Sequence, residues 1–138
     1  GAYTAGAVSS FAYERRAALV DTNVARVLAR AFAPDRSPKR PRDLTQLWRI
    51  AEAVLPRRGR DAWTHNQAIM ELGALVCTAR VAYCDRCPVA TLCLTGATLL
   101  AESEHAERDA NHQLTATNSR GTQKKSGKKR ARSLPPNR

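Results

Sequence analysis

The stretch CTARVAYCDRCPVATLC, residues 77–93, contains every cysteine of the chain: Cys77, Cys84, Cys87 and Cys93. Four thiols this close together constrain a fold more than any hydrophobic pattern does, because tying them to a common partner removes most of the freedom of the backbone between them. Their pattern is C-x6-C-x2-C-x5-C. Two disulfides could use such spacings, but an intracellular compartment would reduce them. Four unrelated buried thiols would be scattered through the chain instead of confined to one loop. Metal ligation remains, and the Cys84/Cys87 pair has the CxxC spacing that suits tetrahedral zinc or an iron-sulfur cluster. Four-cysteine zinc sites more often use two CxxC knuckles and a longer spacer, whereas only one knuckle exists here. Cluster binding fits better, with a structural zinc module as the alternative. Arg80 and Arg86 lie inside the loop, where their charge would offset that of thiolates.

Elsewhere the apolar spacing is helical almost throughout and no run alternates with period two, so the expected fold class is all-α. AYTAGAVSSFAY predicts a first helix rich in small residues. ERRAALV then crosses to Asp21, and Val24, Val27, Leu28 and Ala31 line one face of a second helix that ends before Pro34. PDRSPKRPRD, with three prolines, reads as a loop. Asp43, three residues before Gln46, predicts the cap of a third helix with an apolar stripe at Leu44, Leu47, Trp48, Ala51, Val54 and Leu55. After PRRGR, Asp61 predicts the cap of a long fourth helix that delivers Cys77 at its end.

The formal charge is +11 over 138 residues, and its placement matters more than its size. No acid follows Asp109, and residues 110–138 hold eight basic residues, which leaves residues 1–109 at only +3. QKKSGKKRARSLPPNR lacks apolar periodicity and cannot offset its ordering entropy by burial. Residues 98–138 are therefore expected to form a polar to basic, disordered tail, either a solvated terminus or a phosphate-binding arm whose grip weakens with salt. No window approaches the eighteen or so apolar residues of a membrane span, and the start lacks a basic region followed by an apolar one. A soluble, intracellular protein with no membrane partner is expected. Gly1 in place of Met, with no cap or turn ahead of GAYTAGAV, predicts a chain that begins inside a domain.

These residues also carry a resemblance. The cysteine spacing resembles the [4Fe-4S] loop of the endonuclease III superfamily of helix-hairpin-helix DNA glycosylases. LVDTNVARVLAR and NQAIMELGALVCTARVAYCDRCPVATLC are similar to its adenine DNA glycosylase (MutY-type) branch, over Gly1 to about Ala97. The resemblance implies a partial helical glycosylase core at residues 1–76, its upstream barrel missing, and a cluster loop at 77–97 in which Cys77, Cys84, Cys87 and Cys93 hold a [4Fe-4S] cofactor. It implies a base-excision repair enzyme that hydrolyses the N-glycosidic bond of adenine opposite 8-oxoguanine or guanine, acting as a monomer on double-stranded DNA.

Individual positions follow from the same resemblance. Asp21 of V-D-T-N-V would stabilise the positive charge that develops on the sugar as the bond breaks. The residues alone support an N-cap role for Asp21, and the two roles can coexist. Asn23 would help to hold the sugar or the attacking water. Tyr3 stands where bifunctional relatives carry a lysine nucleophile, which implies a monofunctional enzyme, and Tyr3 itself would lie near the lesion. Gly1 and Ala2 would be the remnant of the hairpin turn whose backbone N–H groups hold a DNA phosphate. The target base would leave the stack and enter a pocket.

Three departures accompany the match. The family's general acid is a glutamate upstream of the hairpin, and neither Glu14 nor Glu71 matches its motif. His65 replaces the aromatic expected before Asn66-Gln67. No segment after Leu100 resembles the domain that reads 8-oxoguanine. A catalytically silent, cluster-bearing DNA-binding fragment is therefore the first alternative to the enzyme, and the zinc module the second.

Overall fold

The structure is a computed structural model that describes the backbone of residues 1–122 and the side chains of residues 1–108. Gly1–Glu102 form one compact unit, and a second begins at Ser103. Five helices carry the described residues: α1 (Ala2–Ala7), which runs on into a π-helical turn at Val8–Ala12; α2 (Thr22–Phe32); α3 (Pro41–Val54); α4 (Gly59–Leu75); and α5 (Leu94–Thr122). Two 3₁₀ turns, Cys84–Arg86 and Ala90–Leu92, punctuate the cysteine loop. Among the described residues β pairing is limited to an isolated bridge between Cys77 and Ala82.

The second helix is the centre of the first unit. It begins at Asp21, whose backbone is extended and whose Oδ1 accepts the Val24 N–H at 2.7 Å, satisfying one of the four N–H groups a helix start leaves unpaired. Val24, Ala25, Val27, Leu28 and Ala29 are all buried, a face wide enough to take α3 on one side and α4 on the other. Leu19, Leu28 and Leu47 form the best-sealed part of this core. α2 ends where Pro34 withholds the N–H that would continue it.

Both third- and fourth-helix caps differ from the expectation. α3 starts at Pro41, with Arg40 in the N-cap position, and α4 starts at Gly59, with Arg58 in that position. Asp43 and Asp61 each lie three residues inside. There they face the positive end of the helix dipole, but bond outward instead of capping. Asp43 accepts the Ser37 N–H at 3.0 Å and pairs with Arg36 and Arg40, so a buried carboxylate organises the proline loop. Its bond from Ser37, then Arg36 and Arg40, hold the Asp43 carboxyl below the usual carboxylate range against the opposing effect of burial. Asp61 pairs with Arg58 at 2.7 Å.

The approach to Asp21 is clamped from three sides. Asn66, buried on α4, donates from Nδ2 to Ser10 Oγ and to the Ala17 carbonyl, both at 2.9 Å. Arg16 donates to the Pro56, Glu52 and Leu55 carbonyls at 3.1, 2.9 and 3.2 Å, which closes the C-terminal end of α3. Gly6 lies so close to the Ala18 carbonyl that any β-carbon there would collide with it. Glu14, at φ 48°, makes the left-handed turn that starts this segment.

The last helix corrects another expectation. Residues 98–122 were expected in a disordered tail, but they belong to α5. The run LLAESEHAER, residues 99–108, is rich in strong helix formers, and propensity of that kind requires no apolar stripe. The basic part of the expected tail, from residue 123 on, lies outside the described residues. No helix among the described residues is long and apolar enough to cross a membrane.

Candidate functional site

The four thiols do come together. Cys77, Cys84, Cys87 and Cys93 are free and partly buried, and they line one small cavity with Arg30, Val76, Ala82, Tyr83, Ala90, Thr95 and Gly96. The cavity is small, about 20 Å³, and open to solvent, so the thiols line a mouth and not a sealed core. Among the described residues no group of three or more His, Cys, Asp or Glu side chains stands ready to hold one metal ion. Burial, then the neighbouring Cys93, Cys87 and Cys77, push the Cys84 thiol up, against a pull from Arg30.

Local bonds explain why the chain turns here. Cys77 N–H donates to the Leu72 carbonyl at 2.7 Å, closing the end of α4 with one wide turn, and Tyr83 N–H reaches back to the Val76 carbonyl at 3.1 Å. Cys87 N–H donates to Cys84 O at 3.3 Å across the CxxC turn. Two N–H donors point at sulfur: Arg30 Nη1 at 3.2 Å from Cys77 and the Gly96 amide at 3.3 Å from Cys93. The expected cations of the loop are elsewhere. Arg86 stacks its guanidinium over the Tyr83 ring at 4.4 Å, and Arg80 is exposed. The charge that reaches a thiol comes from α2.

The same helix carries the other candidate residues at its opposite end. Asp21 uses Oδ1 to cap α2, and Oδ2 has no hydrogen-bond partner among the described residues. Asn23 Oδ1 accepts from Arg26 Nη2 at 2.7 Å, and that nitrogen also donates to the Gly73 carbonyl at 2.6 Å. Arg26 Nε donates to the Cys77 carbonyl at 2.8 Å. One guanidinium thus ties the start of α2 to the end of α4 and to the first cysteine. Gly73 permits the approach, since a β-carbon there would come within 2.9 Å of Asn23 Cβ.

Gly1, Ala2 and Tyr3 lie at the exposed start of α1, Gly1 in the N-cap position with its carbonyl accepting the Ala5 N–H at 3.1 Å. No described hydrogen bond joins Tyr3 to Asp21 or Asn23. Arg26, Arg30 and Gly73 escaped the sequence reading. Arg26 and Arg30 are one helical turn apart, which puts both on the side of α2 that meets the cysteine loop.

A second cavity, about 410 Å³ and largely apolar, opens between α2, α4 and the cysteine loop, lined by Val27, Phe32, His65, Ile69, Leu72 and Val89 among others. Burial holds the His65 imidazole below its ordinary value.

No family model matches the chain. Over 94 residues, 67% of its length, it is 46% identical to the human adenine DNA glycosylase. By this homology the chain belongs with the adenine DNA glycosylases. Adenine DNA glycosylase of Mycobacterium tuberculosis (strain H37Rv) is 48% identical over 92 residues. The chain spans 17% of the human and 29% of the mycobacterial relative's length. Among solved structures, a thermostable thymine-DNA glycosylase superposes with a TM-score of 0.61 at 31% identity, over 71% of this chain and 44% of that one. The adenine DNA glycosylase homology and this structural likeness agree on a glycosylase fold.

Proposed function

We propose that this chain is the cluster-bearing part of a monofunctional adenine DNA glycosylase, which hydrolyses the N-glycosidic bond of adenine opposite 8-oxoguanine or guanine in double-stranded DNA. The observation that carries the reading is the joint one: homology to adenine DNA glycosylases, with Asp21 at the head of α2 presenting a carboxylate oxygen that the fold does not consume. Bond cleavage builds positive charge on the sugar, and a fixed carboxylate at that point stabilises the oxocarbenium-like transition state. Because Asp21 is held by its own cap, it needs little reorganisation as that charge develops. Asn23 is likewise oriented by Arg26: its oxygen is occupied, which leaves the amide N–H groups to face a sugar or a water.

Cys77, Cys84, Cys87 and Cys93 would hold a [4Fe-4S] cluster. The donor set is all sulfur, the thiols are free and line one cavity, and N–H donors from Arg30 and Gly96 point at two of the sulfurs, as ligand sulfurs carrying negative charge require. The residues fit. When bound, the cluster supplies cross-linking of a loop that has little core of its own, so its binding energy becomes folding energy. A phosphate contact through Gly1 and Ala2, and a lesion contact through Tyr3, belong to the same proposal.

One observation favours a second reading. Glu71 is exposed and bonded to Gln67 at 2.8 Å, and Glu14 makes the turn after the first helix, so neither is placed as a proton donor to a departing base. This suits a catalytically silent, cluster-bearing DNA-binding fragment of such an enzyme.

Single-turnover excision on a duplex with adenine opposite 8-oxoguanine tests the proposal. Release of adenine by the wild-type chain, with an Asp21→Asn variant that binds the duplex but releases none, supports it. Equal excision by the variant removes Asp21 from the mechanism; binding without release by the wild type selects the second reading.

A further inference from the structure

The entry and exit of the cysteine loop meet on one residue of α2. Arg30 Nη1 donates to the Cys77 sulfur at 3.2 Å and to the Thr78 carbonyl at 2.7 Å, which fixes the entry. The Arg30 carbonyl oxygen accepts the Thr95 hydroxyl at 2.8 Å, which fixes the exit. That carbonyl is available for a reason written in the sequence. Its helical partner would be the N–H of the residue four positions on, and that residue is Pro34, which has none. The proline that stops α2 therefore turns an orphan acceptor toward the loop.

We infer that Arg30 is a positioning residue for the [4Fe-4S] centre, its main chain bracketing the loop and its guanidinium setting the charge at the Cys77 ligand. The inference rests on the cluster reading above and adds to it. A cation and an N–H donor at a ligand sulfur favour the more negative, reduced state of a cluster, so Arg30 holds the potential up. Its Nη1 alone bonds the sulfur and the Thr78 carbonyl together, so it also slows opening of the loop. Arg80 and Arg86 lie within the loop itself, yet neither makes a described bond to sulfur. The bracket is distinct from the charge, because Thr95 acts through the Arg30 main chain.

The test uses the full chain, purified without oxygen, with two readouts: the reduction potential, and the rate at which visible cluster absorbance is lost under an iron chelator. Arg30→Met is expected to shift the potential to more negative values and to lose the cluster about 10- to 100-fold faster, the size of effect typical for residues that support metal ligands. Thr95→Val is expected to speed loss at unchanged potential, since it opens the exit and leaves the charge in place. A role in packing alone would leave the potential of Arg30→Met where it was. A brown wild type whose Arg30→Met variant matches it in both readouts overturns this inference alone. Should Arg30→Met not fold, Thr95→Val decides: faster loss supports the bracket and an unchanged rate overturns it. A wild-type chain that holds no iron overturns the cluster reading, and this inference with it.

Discussion

Replacing Arg26 with Gln tests whether the start of α2 is held through the cysteine loop. Arg26 makes three short bonds, to the Cys77 carbonyl at 2.8 Å, the Gly73 carbonyl at 2.6 Å and Asn23 Oδ1 at 2.7 Å. The two carbonyls lie at the end of α4, where no helical N–H remains for them. Hydrogen bonds from a charged donor contribute about 1.5–3 kcal/mol each, and a half-buried setting calls for the lower end. A glutamine can keep one of the three. The net loss is then about 2–3 kcal/mol, which a urea titration of the compact unit would read as a midpoint lower by about 1–2 M. Asn23→Ala completes a double-mutant cycle. Because Arg26 and Asn23 share a bond, the double variant should be less destabilised than the sum of the singles by about 1 kcal/mol. Arg26→Gln within about 0.5 kcal/mol of wild type, or strict additivity with Asn23→Ala, refutes the reasoning.

Three further outcomes follow from the geometry. Glu14 is in the left-handed region at φ 48°, so Glu14→Gly should stabilise the chain by about 1 kcal/mol, seen as a higher thermal midpoint; an unchanged or lower midpoint contradicts that strain. Asn66→Leu strips the hydrogen bonds from Ser10 Oγ and the Ala17 carbonyl inside the core and should cost about 1–3 kcal/mol in chemical unfolding; a neutral result would show that neither bond matters. Burial holds His65 below its ordinary 6.5, so in the window between the folded value and 6.5 the unfolded state binds the extra proton. Stability should therefore fall as pH drops through that window, and the His65→Leu variant should show a flatter profile there; identical slopes would exclude His65 as the cause.

The site was legible in the sequence where one residue type carried the whole message. The cysteines announce themselves by spacing, and Asp21 by standing directly ahead of an amphipathic run whose apolar positions repeat at helical intervals. Asp43 and Asp61 misled because a carboxylate in the first helical turn suits the N-cap and the third helical position alike; Pro41 and Gly59 mark the true starts. α5 was missed over 98–122 because it has no apolar stripe and because good helix formers fill only its first part, with Asn, Thr, Ser and Gly common after Asp109. Arg26 and Arg30 were out of reach of periodicity for another reason. Their partners are backbone carbonyls and a sulfur some 47 to 51 residues away, and main-chain acceptors leave no trace in a sequence. The close approach of Gly73 to Asn23 is of the same kind, a contact between segments that composition cannot show.

The measurement that bears most directly on the central claim is the iron, acid-labile sulfide and zinc content of the full chain purified without oxygen. The account predicts a brown protein with about four irons and four sulfides per chain and no stoichiometric zinc. A colourless protein with one zinc per chain would contradict it and return the four cysteines to a structural zinc site.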